Sequence, residues 1–404
     1  MTTKKYPLCG RLVVLVAPVL LSALFFTTSA QADSGLRHRL TLTGGGDFWI
    51  RPEVGFHGFA SVAYDLEGLP RGSHLGLEWN TTRFRATYDR VSLAGGTIEA
   101  GFFAEGELFI AGLLSDYFRQ AELDPARAFG ASYVQFGTEW KALLPKANFV
   151  AFGVEAKRWF FSRGKDTAPE LVLPPADWVV HLRLDYTYWG CQADCSRWRR
   201  HRVFPRVTGL SFGVSLYADL RADGRAWGAL DPAVFDPVDP RNHPEGASAG
   251  VRQWLRAGWQ LHPRVRTQIY QTAGWGEGED DLVRARIGGT NPYHIPLAGA
   301  SWSAFLAERF FTLQWSWHFR VFRAIELGVL GDFVVVSDEL REGHPGQVGV
   351  HAGVGAFFDF RWGAWQVDLR GGWSPTQRWL GPAGNFTAYL GLGYAWDWPR
   401  PTGR

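Results

Sequence analysis

Beyond residue 32 the 404-residue chain has no apolar run long enough to cross a bilayer as a helix, which takes about 20 consecutive apolar residues. It also lacks an excess of one charge. Lys and Arg (42) nearly balance Asp and Glu (39), and a net charge of +3 makes no case for nucleic acid as a partner. Cysteine is scarce at three residues, and no low-complexity linker or break in composition divides the chain after its N-terminus. One domain is therefore expected.

The two cysteines beyond the N-terminal segment, Cys191 and Cys195, are separated by three residues. In an oxidising compartment that spacing suits a small loop disulfide. A metal site would need two more ligands, and His201 supplies at most one. No metal and no cofactor is expected.

Lys4, Lys5 and Arg11 precede an apolar stretch from Leu12 to Phe26, and small residues follow, ending in Ala30-Gln31-Ala32. This is the layout of a secretory signal peptide over residues 1–32, with the mature chain starting near Asp33. An anchor helix is the alternative; the stretch is short for one and contains Pro18. Cys9 lies before the apolar stretch, the wrong side for a lipid-modified cysteine.

What the chain has in quantity is aromatic residues, 15% of the total, and 48 glycines. Transmembrane barrels set aromatic rings in girdles at both interfaces. They also require polarity to switch at every residue, because one side of each strand meets hydrocarbon and the other the lumen. From Trp178 to Tyr188, Trp178, Val180, Leu182, Leu184, Tyr186 and Tyr188 alternate with Val179, His181, Arg183, Asp185 and Thr187. The same division runs through 97–110, 208–220, 308–320, 348–360 and 365–373. A soluble sandwich also alternates, but rarely carries aromatic or branched residues at nearly every apolar position over such lengths. The expected fold is all-β: a transmembrane antiparallel barrel over residues 33–404.

Short connections at Pro145-Lys146, His262-Pro263, Val321-Phe322 and Trp362-Gly363 alternate with longer ones near 111–130, 161–175, 222–250, 290–305, 338–346 and 376–384. Bacterial barrels keep short turns in the periplasm and longer loops outside, so both termini are expected to be periplasmic. The alternation works if Arg264 to Gly289 is one long strand. About fifteen strands are legible, and a single-chain bacterial barrel takes an even number. Sixteen is expected, with fourteen as the alternative and 47–69 as the place where a strand hides. The connection 190–205 lies on the periplasmic side yet is long.

The last strand, with Phe386, Leu390, Leu392, Tyr394, Trp396 and Trp398 on one face, looks like the aromatic terminal strand read by the barrel-insertion machinery. That machinery and outer-membrane lipid are the expected partners, and the bacterial outer membrane the expected location.

Residues 264–398 carry a further order of elements. Gly274-Trp275-Gly276 leads through an acidic extension to Arg286-Ile287-Gly288-Gly289, then to a loop from Thr290 to Gly299. A receiving strand at 308–320 follows, then Gly331-Asp332-Phe333 within 325–336, and three more strands. This order resembles the surface-antigen barrel of the superfamily that includes outer-membrane insertases and two-partner-secretion transporters. The resemblance implies a loop folded back into the lumen and locked by an Arg bonded to a wall Asp. Gly288, Gly289 and Asp332 match the pattern, whereas the loop Arg is missing, leaving Arg286 and His294 as the cations placed to substitute. The resemblance also implies periplasmic modules before the barrel, and only a few residues separate Asp33 from the first strand. The role implied is outer-membrane biogenesis or protein or lipid transport. The alternatives are a passive porin-like solute channel and a structural surface protein.

Lumen positions carry both signs, Glu99, Glu105, Glu107, Asp219, Asp359 and Asp368 against Arg183, Arg221, Arg320, Arg361 and Arg370. An ion-selective constriction would favour one sign, so these read as structure. Asp231, Asp236 and Asp239, each before a proline, fit a stiffened solvated loop better than a calcium site. A hydrolase would need a Ser or Asp beside a His at a strand end. Nothing in the sequence places Ser316, His318 and His351 together, so no enzyme is expected.

Overall fold

A computed structural model describes residues 36–49, 55–69, 73–80, 83–107, 118–119, 122–123, 129–165, 167–190, 208–228, 246–280, 282–288, 295–300, 305–341, 344–376 and 385–398. Residues 1–32, expected to be a signal peptide, and Cys191, Cys195, His201, Gly289, His294 and residues 231–240 lie outside the described residues.

Sixteen antiparallel strands close into one barrel. They are β1 (Arg37–Trp49), β2 (Gly55–Glu67), β3 (His74–Asn80), β4 (Arg83–Leu93), β5 (Ile98–Glu107), β6 (Phe129–Leu144), β7 (Asn148–Arg163) and β8 (Trp178–Trp189). The second half comprises β9 (Gly209–Arg221), β10 (Ala247–His262), β11 (Val265–Glu277), β12 (Arg309–Arg320), β13 (Ile325–Arg341), β14 (His344–Trp362), β15 (Trp365–Ser374) and β16 (Asn385–Trp398). The hidden strand is part of the β1–β2 hairpin, whose thirteen paired residues run from Arg37–Glu67 to Trp49–Gly55. Its Gly44-Gly45-Gly46 and Gly58 blur the alternation that marks the other strands.

β1 and β16 pair over twelve residues, His38–Trp398 to Trp49–Thr387, and close the cylinder. Every strand then has two neighbours, so no edge exposes N–H and C=O groups. Both described ends lie on the same rim, that of the tight turns at 94–97, 145–147, 263–264, 321–324 and 363–364. At the opposite rim lie the strand ends Glu107 and Phe129, Arg163 and Trp178, Arg221 and Ala247, Glu277 and Arg309, and Ser374 and Asn385.

Two expectations fail at that rim. Residues 338–346 are not a long loop, because β13 and β14 continue through Arg341 and from His344, with register shifts at Val336, Glu339 and Arg341. Residues 264–289 are not one strand either. β11 ends at Glu277, where Gly278 takes φ +72° and turns the chain inward.

The alternation becomes two surfaces. On β12, Phe311, Trp315 and Phe319 point outward and are exposed, while Thr312, Gln314, Ser316 and His318 between them are buried on the lumen side. An apolar exterior around a polar interior is stable only with hydrocarbon outside. Val329, outward-facing on β13 and 50% exposed, tests this. Val329→Lys is expected to lower unfolding stability in lipid vesicles by about 2–4 kcal/mol, measured by urea titration; an unchanged midpoint would refute hydrocarbon contact at this face.

Candidate functional site

The chain between β11 and β12 folds into the barrel and is fixed to its wall at two places. The first fixing follows Glu277 at once. The Asp280 carboxylate accepts hydrogen bonds from Arg221 Nη2 (2.8 Å) on β9 and from the Trp227 indole (3.0 Å). Both members of the Arg221–Asp280 pair are buried, at 6% and 0% side-chain exposure. A buried pair holds because each charge would be costly alone. Glu279 accepts a hydrogen bond from the Tyr217 hydroxyl, lies 3.5 Å from Arg252 Nη2, and receives Arg252 through its neighbour Val283, whose carbonyl accepts at 3.1 Å.

An apolar cluster seals this region. Leu171 from the β7–β8 connection, Trp227 from the β9–β10 connection and Leu282 meet Phe129 and Tyr133 of β6, Trp159 of β7 and Val179 of β8. The backbones of Val172 and Gly228 bridge the two connections. Three connections thus share one small core over the rim.

The second fixing is farther along. Ala285–Ile287 pairs with Phe305–Ala307 as a short hairpin, with Arg286 opposite Leu306. The Gly288 N–H donates to the Ile295 carbonyl at 2.9 Å. Residues 297–300 then lie flat on the wall. Ala298 N–H donates to Asp332 Oδ2 at 2.7 Å, and Gly299 N–H to Thr387 Oγ1 on β16 at 3.1 Å. The other Asp332 oxygen accepts from Gln314 Nε2 at 2.5 Å.

The closeness of this contact depends on missing side chains. A Cβ at Gly353 on β14 would stand 2.2 Å from the Ala298 carbonyl oxygen, and one at Gly372 on β15 would stand 2.7 Å from the Gly299 nitrogen. Gly299 itself has φ +77°, and a Cβ there would strike Ser374 N at 2.1 Å. Around this seat Ala285, Ile287, Leu297, Ala300, Phe305 and Ala307 pack on Phe310, Val334 and Val336. Ile287 and Leu297 have no exposed surface, and burial of such side chains contributes about 1.5–3 kcal/mol each.

The structure therefore brings Asp332 to the connection through a main-chain N–H. The amide of Ala298 donates to Asp332 and Arg370 of the wall acts on it electrostatically; of the two expected loop cations, Arg286 stands opposite Leu306 and His294 lies outside the described residues. A carboxylate accepts amide donors readily when a wall cation balances its charge. Sequence reasoning missed Glu279, Asp280, Leu282 and Trp227. It also missed the signal at the seat: the unbroken apolar run Phe333-Val334-Val335-Val336 breaks the alternation, as strands covered on both faces do.

The sequence did not place Ser316 and His318 together, and the structure does. Ser316 Oγ lies 3.0 Å from His318 Nε2, and His318 Nδ1 lies 2.7 Å from Glu326 Oε1. Arg266 donates to the same Glu326 oxygen at 2.8 Å, and the Gln268 amide lies 2.8 Å from His318 Nε2. All five side chains are buried. This is a connected lumen network in which Arg266 bonds through Nη2 while its Nε is left without a hydrogen bond.

No family model and no curated protein sequence matches the chain. Among solved structures, BamA from Haemophilus ducreyi lacking POTRA domains 1–3 is similar with a TM-score of 0.57 at 10% identity, over 88% of this chain and 70% of that one. CdiB from Escherichia coli gives 0.55 at 10% identity, over 88% and 63%. OprB from Pseudomonas putida gives 0.50 at 9% identity, over 92% and 97%. This chain spans less than two thirds of the CdiB chain. The likeness to BamA, CdiB and OprB is one of fold, an antiparallel barrel, here of sixteen strands.

Glu279, beyond the end of β11, generates a pH prediction. Burial pushes its carboxyl up to about 7 against the pull of Arg252 and the Tyr217 hydrogen bond, with Glu308 adding to the rise and Arg284 opposing it. A carboxyl that holds its proton more tightly when folded stabilises the folded region fully below its ordinary value near 4.5, and that stability is lost as pH rises through about 7. Once the intrinsic base catalysis of amide exchange is divided out, protection at residues 282–288 is expected to fall across this window in the native protein. In Glu279→Gln the pH dependence should vanish; an equal response in both proteins would refute the assignment.

Proposed function

We propose that this chain is an integral barrel of the bacterial outer membrane, with both termini on the periplasmic side. It works in membrane biogenesis or in moving protein or lipid, and the connection 278–308 closes its lumen at rest. The observation that carries the reading is the seat of Ala298–Gly299 on Asp332, Gly353, Gly372 and Thr387. A wall carved to receive a backbone is a built contact, and it holds part of the connection across the lumen. The apolar exterior supplies the lipid contact, and the aromatic face of β16 supplies the strand that insertion machinery would read.

A solute channel is the second reading, favoured by the polar lumen with its paired charges below the cap. Conductance separates the two. In planar bilayers the native protein is expected to give small, erratic currents, and Gly353→Leu, which obstructs the seat, to give larger and longer openings. Heat-modified gel mobility confirms that the variant barrel has closed. A large, steady, ohmic pore in the native protein would overturn the closed-lumen reading.

No reaction is assigned to the barrel, because each group around His318 already has a partner. A fluorophosphonate serine probe is expected to leave the protein unlabelled; labelling abolished by Ser316→Ala would overturn this.

A further inference from the structure

Beneath the cap, on the lumen side of β6 to β10, lies a cavity of about 380 Å³, within the range of small-molecule sites. Leu282 and Val283 of the inward-folded connection line it together with Trp159 and Val179, so part of its surface is apolar. Lys157 of β7 points into it, its ammonium 4.3 Å from the ring centre of Tyr133 and 4.8 Å from that of Trp159.

The other charges of the lining have partners of their own, Arg252 with Glu279 at 3.5 Å and the Val283 carbonyl at 3.1 Å. Arg183 pairs with Glu139 at 2.6 Å and Asp185 at 2.7 Å, His181 with Asp219 at 2.8 Å, and Glu155 accepts from Gln135 at 2.5 Å. Among the described residues Lys157 has neither a hydrogen bond nor an ion pair; it is held by the two rings. An ammonium with three donors and no acceptor is half of a recognition site. Its surroundings define the other half. Glu155 and Asp219 share the lining with Lys157 and act on it electrostatically together with Glu105 and Glu107, while the lining cations Arg183 and Arg252 are engaged by their own partners, so a bare anion drawn to the lysine would also meet these carboxylates. A molecule that carries its own cation beside the carboxylate satisfies both.

We propose that this cavity binds a small zwitterion with an apolar side group, of the chemical class of a short peptide. The peptide carboxylate accepts from Lys157, its ammonium faces the carboxylates of Glu155 and Asp219, and its apolar side chain lies against the Leu282–Val283 roof. The site lies within the lumen, walled off from lipid, so its occupant is a dissolved molecule. It stands independently of the cargo proposed above.

Calorimetry on the detergent-solubilised barrel tests the proposal with leucyl-leucine, N-acetyl-leucyl-leucine and leucyl-leucinamide. The zwitterion is expected to bind, and each capped form about tenfold more weakly or worse, as loss of a charge-assisted bond predicts. Lys157→Met should lose the preference for leucyl-leucine over its amide, and Lys157→Arg should restore it. Leu282→Trp, which fills the cavity and keeps the lysine, should abolish binding in a barrel of native gel mobility. No heat of binding with leucyl-leucine up to about 10 mM, equal binding of the N-acetyl form, or an unchanged preference in Lys157→Met would overturn it.

Discussion

Backbone N–H and C=O groups have no water to bond inside hydrocarbon, and the architecture follows from that constraint. A sheet meets it only by closing on itself, which β1 and β16 do along twelve residue pairs. Closure then divides every strand into an outer and an inner row of side chains. The outer row must be apolar. The inner row is left to hold water, to fill itself with paired charge, or to receive another part of the chain.

This barrel fills itself with paired charge and receives part of its own chain, at different heights. Near the turn rim, Arg266, Glu326 and His318 form a compact hydrogen-bonded set. At the other rim the inner row of β12 and β13 turns apolar at Phe310, Val334 and Val336, because the β11–β12 connection covers it. Between β6 and β10 the lumen stays open enough to leave a cavity. The interior is thus graded from charge to apolar seat, and the grading is encoded in which inward positions depart from the polar rule.

How much of this was legible follows from the range of each interaction. Alternation is a property of neighbours two residues apart, so β8, β9, β12 and β16 stand out in the sequence, and the even count supplied the strand missing between 47 and 69. The seat depends on Ala298 meeting Gly353 and Gly372, separations of 55 and 74 residues that no local pattern records. The identity of Asp332 as a wall group was readable from family resemblance. Its partner was not, because a main-chain amide leaves no mark in a sequence. The cap was hidden for a similar reason: Asp280 sits in an acidic stretch that reads as solvated, yet its carboxylate meets Arg221 and Trp227 in the folded chain.

The two fixings of the inward connection have a mechanical consequence. One lies on β9 and β10, through Arg221, Tyr217 and Arg252, and the other on β13 to β16, through Asp332, Gly353, Gly372 and Thr387. A ring of strands resists stretching along its hydrogen bonds but flattens easily into an ellipse. A segment tied to well-separated parts of its circumference acts as a chord, and a chord suppresses flattening along its own direction. The connection therefore sets the cross-section of the cylinder as well as occupying it, and the bilayer around such a barrel would feel a rounder, stiffer object than the wall alone could present.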